Sequence, residues 1–391
     1  MKILHVTKYF YPAISFGGPI QCTYNLTRQL VRRGHNVTVY ASDVLGFTSH
    51  ARIPYNTRTI DGVKIHYFSN MAKLADMYIT PGIMRAFNET LDEFDVIHLH
   101  EYRSFQNIAF LMCNNSKTRY VLQTHGMKFG SSASREGKPF HNATRRFYDQ
   151  IFGKGLIDGA SKIIALTTSE KSLIETGGGD KERIIIIPNG VSPEDFRSID
   201  ANFKTKFELG KNKIILYVGR INKSKGLDAL ARAFSLLRGK HGDIRLVVIG
   251  PDDGYLSGLK ELVKGLHIEN MVIFTGVLDH EQLASAYSAA RVVVYPGTHE
   301  GFPIVPLEAG LLSKPLVVSN DPGMSYVHDG GFGLTFEYGN VLELAQKLDL
   351  LLSDDGLARR MGRAGRERVL ENYTWDIVAG KVEELYRDVL A

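Results

Sequence analysis

Short runs of β-branched and other apolar residues recur along the first half of the chain, separated by segments with helical periodicity. The opening run at residues 1–7 precedes a helical pattern over residues 19–33, and a second run follows at 37–41. Short, near-continuous apolar strands are typical of a parallel sheet that is buried on both faces. The pattern therefore predicts an α/β protein. Further strands are predicted at residues 63–68, 95–100, 120–124, 162–166 and 184–187.

A second series of the same kind begins after the proline- and glycine-containing segment 188–193. Repetition of one architecture predicts two Rossmann-like domains. The N-terminal domain is expected over residues 1–190 together with an amphipathic tail, 373–391, and the C-terminal domain over 196–372. If the two sheets face each other, their strand carboxyl ends surround one cleft, where open α/β sheets bind ligands. The second series comprises strands at 214–218, 245–249, 272–274, 292–295 and 315–318, with a helix at 227–237.

Composition narrows the class of protein. The chain has 391 residues, of which 44% are hydrophobic and 23% are charged, as expected for a globular protein of two domains. No apolar run reaches the roughly 18–20 residues that a membrane-spanning helix needs. The two cysteines form no metal-binding pattern, so we expect a cytoplasmic protein without a metal ion. No basic stripe interleaved with aromatic residues suggests nucleic-acid binding.

The most informative segment is residues 295–310, YPGTHEGFPIVPLEAG. A strand ends in a proline and glycine turn that contains Glu300, and a helix is predicted to start near Pro303 and to contain Glu308. The amides of Ile304 and Val305 in its first turn have no helical partner and can bind a phosphate. A buried carboxylate one or two turns later can accept hydrogen bonds from two ribose hydroxyls. The alternative is that Glu300 caps a turn and Glu308 is a solvated helix residue.

The spacing of Glu300 and Glu308 in this setting resembles the signature of the retaining GT-B glycosyltransferases of family four. The resemblance implies a donor site in the C-terminal domain, with Glu308 on the ribose of a nucleotide-sugar and Glu300 facing the hydroxyls of the transferred sugar. It also implies a GT-B fold, in which the C-terminal helix near Trp375 crosses back to the N-terminal domain. Further residues assigned to the donor are Gly301, Phe302 and Pro303.

A second motif, residues 218–227, VGRINKSKGL, places two cations after a strand. Departure of a diphosphate leaves negative charge on a phosphate oxygen, and a guanidinium and an ammonium stabilise that charge where it develops. The chain contains no Asp-x-Asp sequence, so cations are the expected substitute for a metal ion. The resemblance assigns this role to Arg220 and Lys225, next to Gly219, whereas Lys223 is expected in solvent. The alternative is a pair of surface charges.

The resemblance also supports the remaining assignments to the donor and the transferred sugar. Gly17 and Gly18, in a glycine loop after the first strand, are expected to approach the donor diphosphate through their backbone. His125, directly after a strand, is expected to contact the transferred sugar; the alternative is a structural histidine. The turn at Gly250 is expected to line the nucleotide pocket, and the backbone near Val277 to contact the base. His98 and His100 alternate on one strand and face the same side, and Glu101 follows at the carboxyl end of that strand. From this position, and not from the resemblance, acceptor contacts are assigned to His100 and Glu101, together with Arg103 and Lys128.

Taken together, these residues predict a hexosyltransferase that uses a front-face mechanism without a metal, as the resemblance implies. Its acceptor would be a glycan or a lipid-linked hydroxyl. The basic and aromatic stretch 128–154 suggests peripheral association with an anionic membrane surface at the cytoplasmic face, against the alternative of an ordinary exposed loop and helix. Other functions weighed are a nucleotide-sugar epimerase and a silent sugar-nucleotide-binding subunit. A dinucleotide oxidoreductase is disfavoured because the first strand lacks the glycine fingerprint.

Overall fold

The computed structural model describes residues 1–13, 17–46, 51–75, 77–114, 118–126, 139–197 and 202–391, without the side chains of 139–142. The chain forms two compact units. Unit 1 comprises Met1–Asn189 together with Trp375–Ala391, and unit 2 comprises Gly190–Thr374. The sequence analysis placed the first boundary between residues 190 and 196 and the start of the tail at residue 373.

Strands and helices alternate through most of unit 1. Their bounds, in chain order, are β1 (Lys2–Val6), α1 (Gly18–Arg32), β2 (Asn36–Ser42), β3 (Thr57–Ile60), β4 (Val63–Phe68), β5 (Ala72–Leu74), β6 (Met77–Ile79), α2 (Gly82–Thr90), β7 (Val96–His100), α3 (Phe105–Cys113), β8 (Tyr120–Gln123), α4 (Pro139–Tyr148), α5 (Lys154–Gly159), β9 (Lys162–Ala165), α6 (Thr168–Thr176) and β10 (Ile184–Ile186). A π-helical turn, Asp149–Gly153, joins α4 to α5.

Eight of these strands form one sheet in the order β10, β9, β8, β7, β1, β2, β4 and β3. All neighbours are parallel except the hairpin of β3 and β4. Strands β1, β7 and β8 are buried along nearly their whole length, because helices cover both faces. Strand β1 lies where the strand order reverses, and such a position brings the following loops to a ligand-binding edge.

Unit 2 repeats this alternation. Its elements are α7 (Phe203–Lys206), β11 (Lys213–Val218), α8 (Leu227–Leu237), β12 (Ile244–Ile249), α9 (Leu256–Gly265), β13 (Val272–Gly276), α10 (His280–Ala289), β14 (Ala290–Tyr295), α11 (Val305–Leu311), β15 (Leu316–Ser319), α12 (Ser325–Asp329), β16 (Gly333–Phe336), α13 (Val341–Ser353) and α14 (Asp355–Asn372). The chain then returns to unit 1 as α15 (Trp375–Leu390).

The sheet of unit 2 has six parallel strands in the order β13, β12, β11, β14, β15 and β16. The chain moves outward from β11 in one direction and then from β14 in the other. The carboxyl ends of β11 and β14 therefore mark the switch point, where open α/β sheets bind ligands. The loops after these two strands carry Arg220 and Glu300.

Helix α15 belongs to unit 1 and packs against α1 and β7. Tyr386 on this helix is fully buried, and its hydroxyl lies 2.6 Å from Nδ1 of His98 on β7. At the end of α1, Arg33 donates to the carboxylate of Glu383 over 3.1 Å. Two Rossmann-like sheets, one mainly and one wholly of parallel strands, together with a returning C-terminal helix, confirm the predicted α/β class. Within the described part of the chain, no helix has both the length and the apolar character needed to cross a bilayer.

Candidate functional site

In unit 2, the loops that follow β11 and β12 are in direct backbone contact. The amide of Ile221 donates to the carbonyl of Pro251 over 2.8 Å, and the amide of Asp253 returns a bond to Ile221 over 3.0 Å. A Cβ at Gly250 would lie 2.0 Å from the carbonyl oxygen of Gly219, and both glycines have φ near +140°. Only glycine permits this approach, so Gly219 and Gly250 lie together and fix the start of the loop that carries Arg220.

Arg220 projects from this loop and is 45% exposed. Its guanidinium donates to Oδ2 of Asp253 over 2.8 Å. The side-chain amide of Asn222 donates to the same oxygen over 3.2 Å. Asp253 therefore orients the cation at the switch point. The sequence analysis did not single out this residue. Its signal was the pair of aspartates, Asp252 and Asp253, directly after the glycine turn at Gly250.

Lys225 ends a short 3₁₀ turn, Lys223–Lys225, that Asn222 caps through its side chain. Its ammonium donates to Oε1 of Glu300 over 2.6 Å, and the two side chains are only 14% and 13% exposed. Lys223 is exposed to solvent. The cation assigned to the diphosphate and the carboxylate assigned to the sugar are thus one ion pair, which connects the loop after β11 to the loop after β14.

Buried tyrosine hydroxyls lie beside these charges. The hydroxyl of Tyr217 donates to the carbonyl of Arg220 over 2.8 Å. Burial raises the pKa of Tyr217, the charge of Glu300 raises it further, and Arg220 opposes the shift. Burial, followed by the charge of Glu300, also raises the pKa of Tyr295 well above its ordinary value. Arg220 and Glu300 therefore act electrostatically on a common hydroxyl, although they make no ion pair with each other.

The segment after β15 contacts the loop that carries Glu300 and holds it in place. Asp321 accepts hydrogen bonds from the amide of His299 and from the hydroxyl of Thr298, at 2.5 and 3.2 Å. A Cβ at Gly323 would lie 2.3 Å from the carbonyl oxygen of Glu300, so the two backbones touch. These supports of Glu300 were not predicted, because no local pattern links Asp321 to a loop some twenty residues earlier.

Helix α11 begins at Val305, with Ile304 as its N-cap, two residues after the predicted start near Pro303. The hydroxyl of Tyr326 donates to the carbonyl of Pro303 over 2.8 Å, which keeps this residue in the loop. The ring of Phe302 stacks on Tyr326 with centroids 4.3 Å apart, so Phe302 supports the loop from its buried side.

The amides of Ile304 and Val305 have no hydrogen-bond acceptor among the described residues, as the phosphate assignment requires. Gly301 precedes them and is half-buried.

Glu308 lies in the first turn of α11 and is half-buried, so it is not a solvated helix residue. Its Oε2 accepts a hydrogen bond from the buried hydroxyl of Tyr287 over 2.5 Å. Burial raises the pKa of Glu308, and the hydrogen bond from Tyr287 opposes that shift.

Val277, the residue expected beside the base, follows β13 and is 69% exposed. The preceding residue, Gly276, accepts a bond from the amide of Gly250 over 2.9 Å, which connects Val277 to the glycine turn.

In unit 1, four histidines meet at the carboxyl ends of β1, β7 and β8. His98 and His100 alternate on β7, and the sheet register pairs His5 of β1 with His98. Nδ1 of His5 lies 2.8 Å from Nε2 of His100, and Nδ1 of His100 lies 2.8 Å from Nε2 of His125. His5, His98 and His100 are fully buried. His100, assigned to the acceptor, is therefore a direct partner of His125, assigned to the transferred sugar, and has no exposed surface of its own.

The backbone around His125 is held by Glu170, which the sequence analysis missed. Oε1 of this buried carboxylate accepts from the hydroxyl of Thr124 and from the amide of Gly126, both over 2.6 Å. His125 between them has a φ of +54°, an uncommon conformation for a residue with a side chain. The local signal was Thr167 three residues before Glu170, which predicts a helix N-cap but not the contact with the loop after β8.

The other N-terminal candidates lie on the same edge of the unit 1 sheet. Glu101 is buried at the end of β7 and accepts a hydrogen bond from the amide of Lys8 over 3.3 Å. Arg103 makes a bidentate pair with Asp149 at 2.8 and 2.6 Å, so its guanidinium connects the loop after β7 to the π-helical turn. Gly17 has a φ of +77° and caps α1, which begins at Gly18. Lys128 lies outside the described residues.

Within the described residues, His5, His98 and His100 are the group whose spacing suits a metal ion, with one ligand atom of each within 4.8 Å of the others. Their hydrogen bonds fit a metal poorly. Both nitrogens of His100 already bond to other imidazoles, and the rings of His98 and His100 are stacked with centroids 4.2 Å apart. A metal on His100 would have to break the chain of imidazoles.

Comparison with known proteins gives matches along the whole chain. The family model for glycosyl transferases group 1 matches residues 198–368, and the model for glycosyltransferase family 4 matches residues 16–195. An uncharacterised glycosyltransferase of Methanocaldococcus jannaschii is 28% identical, with 99% of this chain and 98% of the relative covered. The D-inositol 3-phosphate glycosyltransferase of Corynebacterium urealyticum is 30% identical, with 76% and 72% covered. Sucrose-phosphate synthase from Thermosynechococcus elongatus has a similar structure, with a TM-score of 0.79, 20% identity, and 100% and 99% covered.

Proposed function

Since the chain belongs to glycosyltransferase family 4, the glycosyl transferases of group 1, we propose that it transfers a hexose from a nucleoside-diphosphate sugar with retention of anomeric configuration. Membership makes the protein a glycosyltransferase, and its fold is that of the GT-B enzymes. The donor, the stereochemistry and the acceptor are the parts that we propose.

The observation that carries the proposal is the arrangement at the switch point of unit 2. Arg220, held by Asp253, and Lys225, held by Glu300, project from the loop after β11. The amides of Ile304 and Val305 lie at the start of α11, where the helix dipole adds to their attraction for an anion. Two cations and two unpaired amides are what a diphosphate requires. The half-buried carboxylate of Glu308 then suits the vicinal hydroxyls of a ribose.

The proposed reaction proceeds on the face of the sugar that carries the leaving group. The acceptor hydroxyl oxygen bonds to the anomeric carbon while the bond from that carbon to the β-phosphate oxygen breaks. The bonding electrons leave with the nucleoside diphosphate, and the hydroxyl proton passes to the released phosphate oxygen. Arg220, Lys225 and the two amides stabilise the negative charge that develops there. No metal ion is required in this scheme, since the cations supply the neutralising charge.

Glu300 and His125 are proposed to contact the transferred sugar. A carboxylate accepts hydrogen bonds from sugar hydroxyls, and an imidazole can donate or accept one. The ammonium of Lys225 lies 2.6 Å from Oε1 of Glu300 and holds this largely buried side chain in place. Burial, followed by the charge of Lys8, lowers the pKa of His125 to about 4, so His125 is neutral at pH 7 and acts through hydrogen bonds.

A glycan or a lipid-linked molecule is proposed as the acceptor, with an anionic membrane surface as a further partner. Two apolar side chains at the junction of α4 and α5, Phe147 and Ile151, are 59% and 54% exposed. The cations Arg146 and Lys154 are exposed beside them in sequence. Exposed apolar and basic side chains on a helical segment are typical of binding to an anionic membrane interface. The relative from C. urealyticum is named for D-inositol 3-phosphate, which is also anionic.

The donor is tested by a thermal-shift panel of UDP-, GDP- and ADP-sugars, each with magnesium and with EDTA. One base should raise the melting temperature, because a ligand that binds only the native state stabilises it by mass action. The shift should be the same in EDTA. With the selected donor, release of nucleoside diphosphate and NMR of the product's anomeric proton test transfer and retention. An inverted anomer would refute the proposed stereochemistry, and loss of activity in EDTA would refute the metal-free scheme.

The membrane surface is tested by flotation with vesicles of phosphatidylglycerol and phosphatidylcholine at low salt. The wild type should float with anionic vesicles, and the double variant Phe147→Ser, Ile151→Ser should not. The double variant Met71→Ser, Met112→Ser, which removes two exposed apolar side chains elsewhere in unit 1, is the matched control and should behave as the wild type. Equal flotation with purely zwitterionic vesicles would contradict an anionic surface.

A further inference from the structure

The histidine cluster of unit 1 contains a continuous chain of three imidazoles. Each link, from His5 to His100 and from His100 to His125, is a nitrogen-to-nitrogen contact of 2.8 Å. An imidazole link needs one N–H donor and one lone-pair acceptor. The hydrogen bonds along the three imidazoles therefore all run in one direction, and the position of the proton on each ring fixes its position on the next.

The three linked imidazoles are electrically neutral at physiological pH. Burial lowers the pKa of His5 to about 3, and burial is also the first cause of the low pKa of His125, about 4. Burial, and then the neighbouring imidazoles, lower the pKa of His100 well below its ordinary value. Each ring thus carries one proton. Among the described residues, charged groups beside these rings include Lys8 and Glu101, which face each other at 4.0 Å. They also include Glu170, whose carboxylate bonds to the residues on both sides of His125.

Two arrangements of three protons satisfy both links. In the first, His125 donates from Nε2 to His100, His100 donates from Nε2 to His5, and His5 is left with an N–H at its own Nε2. In the second, every ring carries its proton on Nδ1. His5 then donates to His100, His100 donates to His125, and Nδ1–H of His125 is free to donate onward. The same heavy-atom positions serve both arrangements.

The burial of His5 distinguishes the two. Its Nε2 is buried and has no hydrogen-bond partner among the residues that the structure describes. The first arrangement leaves an N–H unpaired at this position, whereas the second leaves only a lone pair. Orphaned buried N–H groups are rarer in proteins than under-satisfied acceptors. The second arrangement is therefore the more stable one, and it determines the chemistry that His125 presents.

We propose that His100, supported by His5, is a positioning residue that fixes His125 as its Nδ1–H tautomer, so that His125 donates a hydrogen bond to an oxygen of the transferred sugar. The part that concerns the sugar rests on the proposed function of His125. The tautomer itself does not, because it follows from the hydrogen bonds within unit 1. Among the described residues, Nδ1 of His125 has no other partner.

The tautomer is measured directly by long-range ¹H–¹⁵N NMR of the full chain with ¹⁵N-labelled histidine, assigned by single substitutions. His5, His100 and His125 should each show a protonated Nδ1 and an unprotonated Nε2. A protonated Nε2 on His125 would overturn the proposal. Addition of Zn²⁺ alone should leave the three signals unchanged; stoichiometric zinc binding that shifts His5 and His100 would also overturn it, because a metal would break their link.

The positioning role is tested with three variants. His100→Leu removes the donor, so His125 should become a mixture of tautomers, and kcat/KM should fall by about ten- to hundredfold, the effect of losing one aligned hydrogen bond. His100→Asn keeps an amide donor near the same position and should restore part of both the tautomer and the rate. Tyr386→Phe removes a buried hydrogen bond from the neighbouring His98 and should change neither.

An unchanged His125 tautomer in His100→Leu would overturn the positioning role even if the rate fell. The expected tautomer in a protein without sugar-transfer activity would leave the inference standing and count against the proposed function instead. The two failures are therefore distinguishable.

Discussion

The ammonium of Lys225 lies 2.6 Å from Oε1 of Glu300, in a pair that is largely shielded from water. The two residues come from loops that follow neighbouring strands, β11 and β14, at the switch point of the unit 2 sheet. The pair places the ammonium against a half-buried carboxylate and holds the cation at the carboxyl end of the sheet. One interaction thus connects the residue proposed for the diphosphate to the residue proposed for the sugar.

Replacing Lys225 by alanine should remove roughly 2–4 kcal/mol of transition-state stabilisation, which is measured as a decrease in kcat. The loss has two causes, because the phosphate loses a cation and Glu300 loses its partner. In a double-mutant cycle with Glu300→Gln, the two losses should therefore be less than additive. Steady-state kinetics of the four proteins measures this coupling. Lys223→Ala, which removes an exposed cation two residues away, should retain wild-type rates; a comparable loss in that variant would argue against a specific role for Lys225.

Arg220 should not be replaceable by lysine. Its guanidinium makes a directed bond to Asp253 over 2.8 Å and has further donors for phosphate oxygens, a geometry that an ammonium does not reproduce. Arg220→Lys should therefore lose about tenfold or more in kcat/KM, and Arg220→Ala more. Asp253→Asn keeps an acceptor for Arg220 and should cost less than either. A larger loss in Asp253→Asn than in Arg220→Ala would mean that Asp253 itself contacts substrate.

Glu308 should contribute to binding at the expense of stability. Burial raises its pKa above that of the unfolded chain, so the native state binds more protons between the two pKa values. By linkage, stability falls as pH rises through that window, because ionising Glu308 costs more free energy in the native state than in the unfolded chain. Glu308→Gln should therefore keep or raise the melting temperature at pH 7 while donor affinity falls. Calorimetry and donor titration of the same sample check both parts; a destabilised variant with normal donor affinity would contradict the ribose assignment.

The buried histidines should make the protein sensitive to acid. Burial lowers the pKa of His5, His98, His100 and His125, whereas the unfolded chain protonates them near pH 6.5. Below that pH the unfolded state binds more protons, so stability falls by up to about 1.4 kcal/mol per pH unit for each group. The full contribution is present above pH 6.5 and is lost progressively as pH decreases. Calorimetry between pH 7.5 and 5 should show a steep decrease in melting temperature, and a flat profile would contradict neutral burial.

Strand positions were predictable because parallel strands buried on both faces are nearly continuous apolar runs. The strand at residues 63–68 and the helix at 227–237 were predicted with the bounds that the structure has. The start of α11 was placed two residues early, since Pro303 is a common first residue of a helix but is held in the loop by Tyr326. The hairpin of β5 and β6 was missed because each strand has only three residues and β5 is exposed throughout.

The residues that support the site were less accessible to sequence reasoning. Asp253, Glu170 and Asp321 each act on a loop that is distant in sequence, through bonds that depend on the sheet order. The spacing of His98 and His100 predicted one shared face, but the alignment of His5 beside His98 required the register of β1 and β7. Local patterns therefore led to the charged residues that we propose for the site, whereas the residues that contact and orient them became visible only in the structure.

The central claim is that Arg220 and Lys225 of unit 2 bind the diphosphate of the donor. Calorimetric titration of the nucleoside diphosphate selected by the thermal-shift panel tests it directly, in the wild type, in the double variant Arg220→Ala, Lys225→Ala, and in Lys223→Ala. We predict that the double variant loses at least about a hundredfold in affinity, while Lys223→Ala binds as the wild type does. Equal affinity in all three proteins would contradict the account.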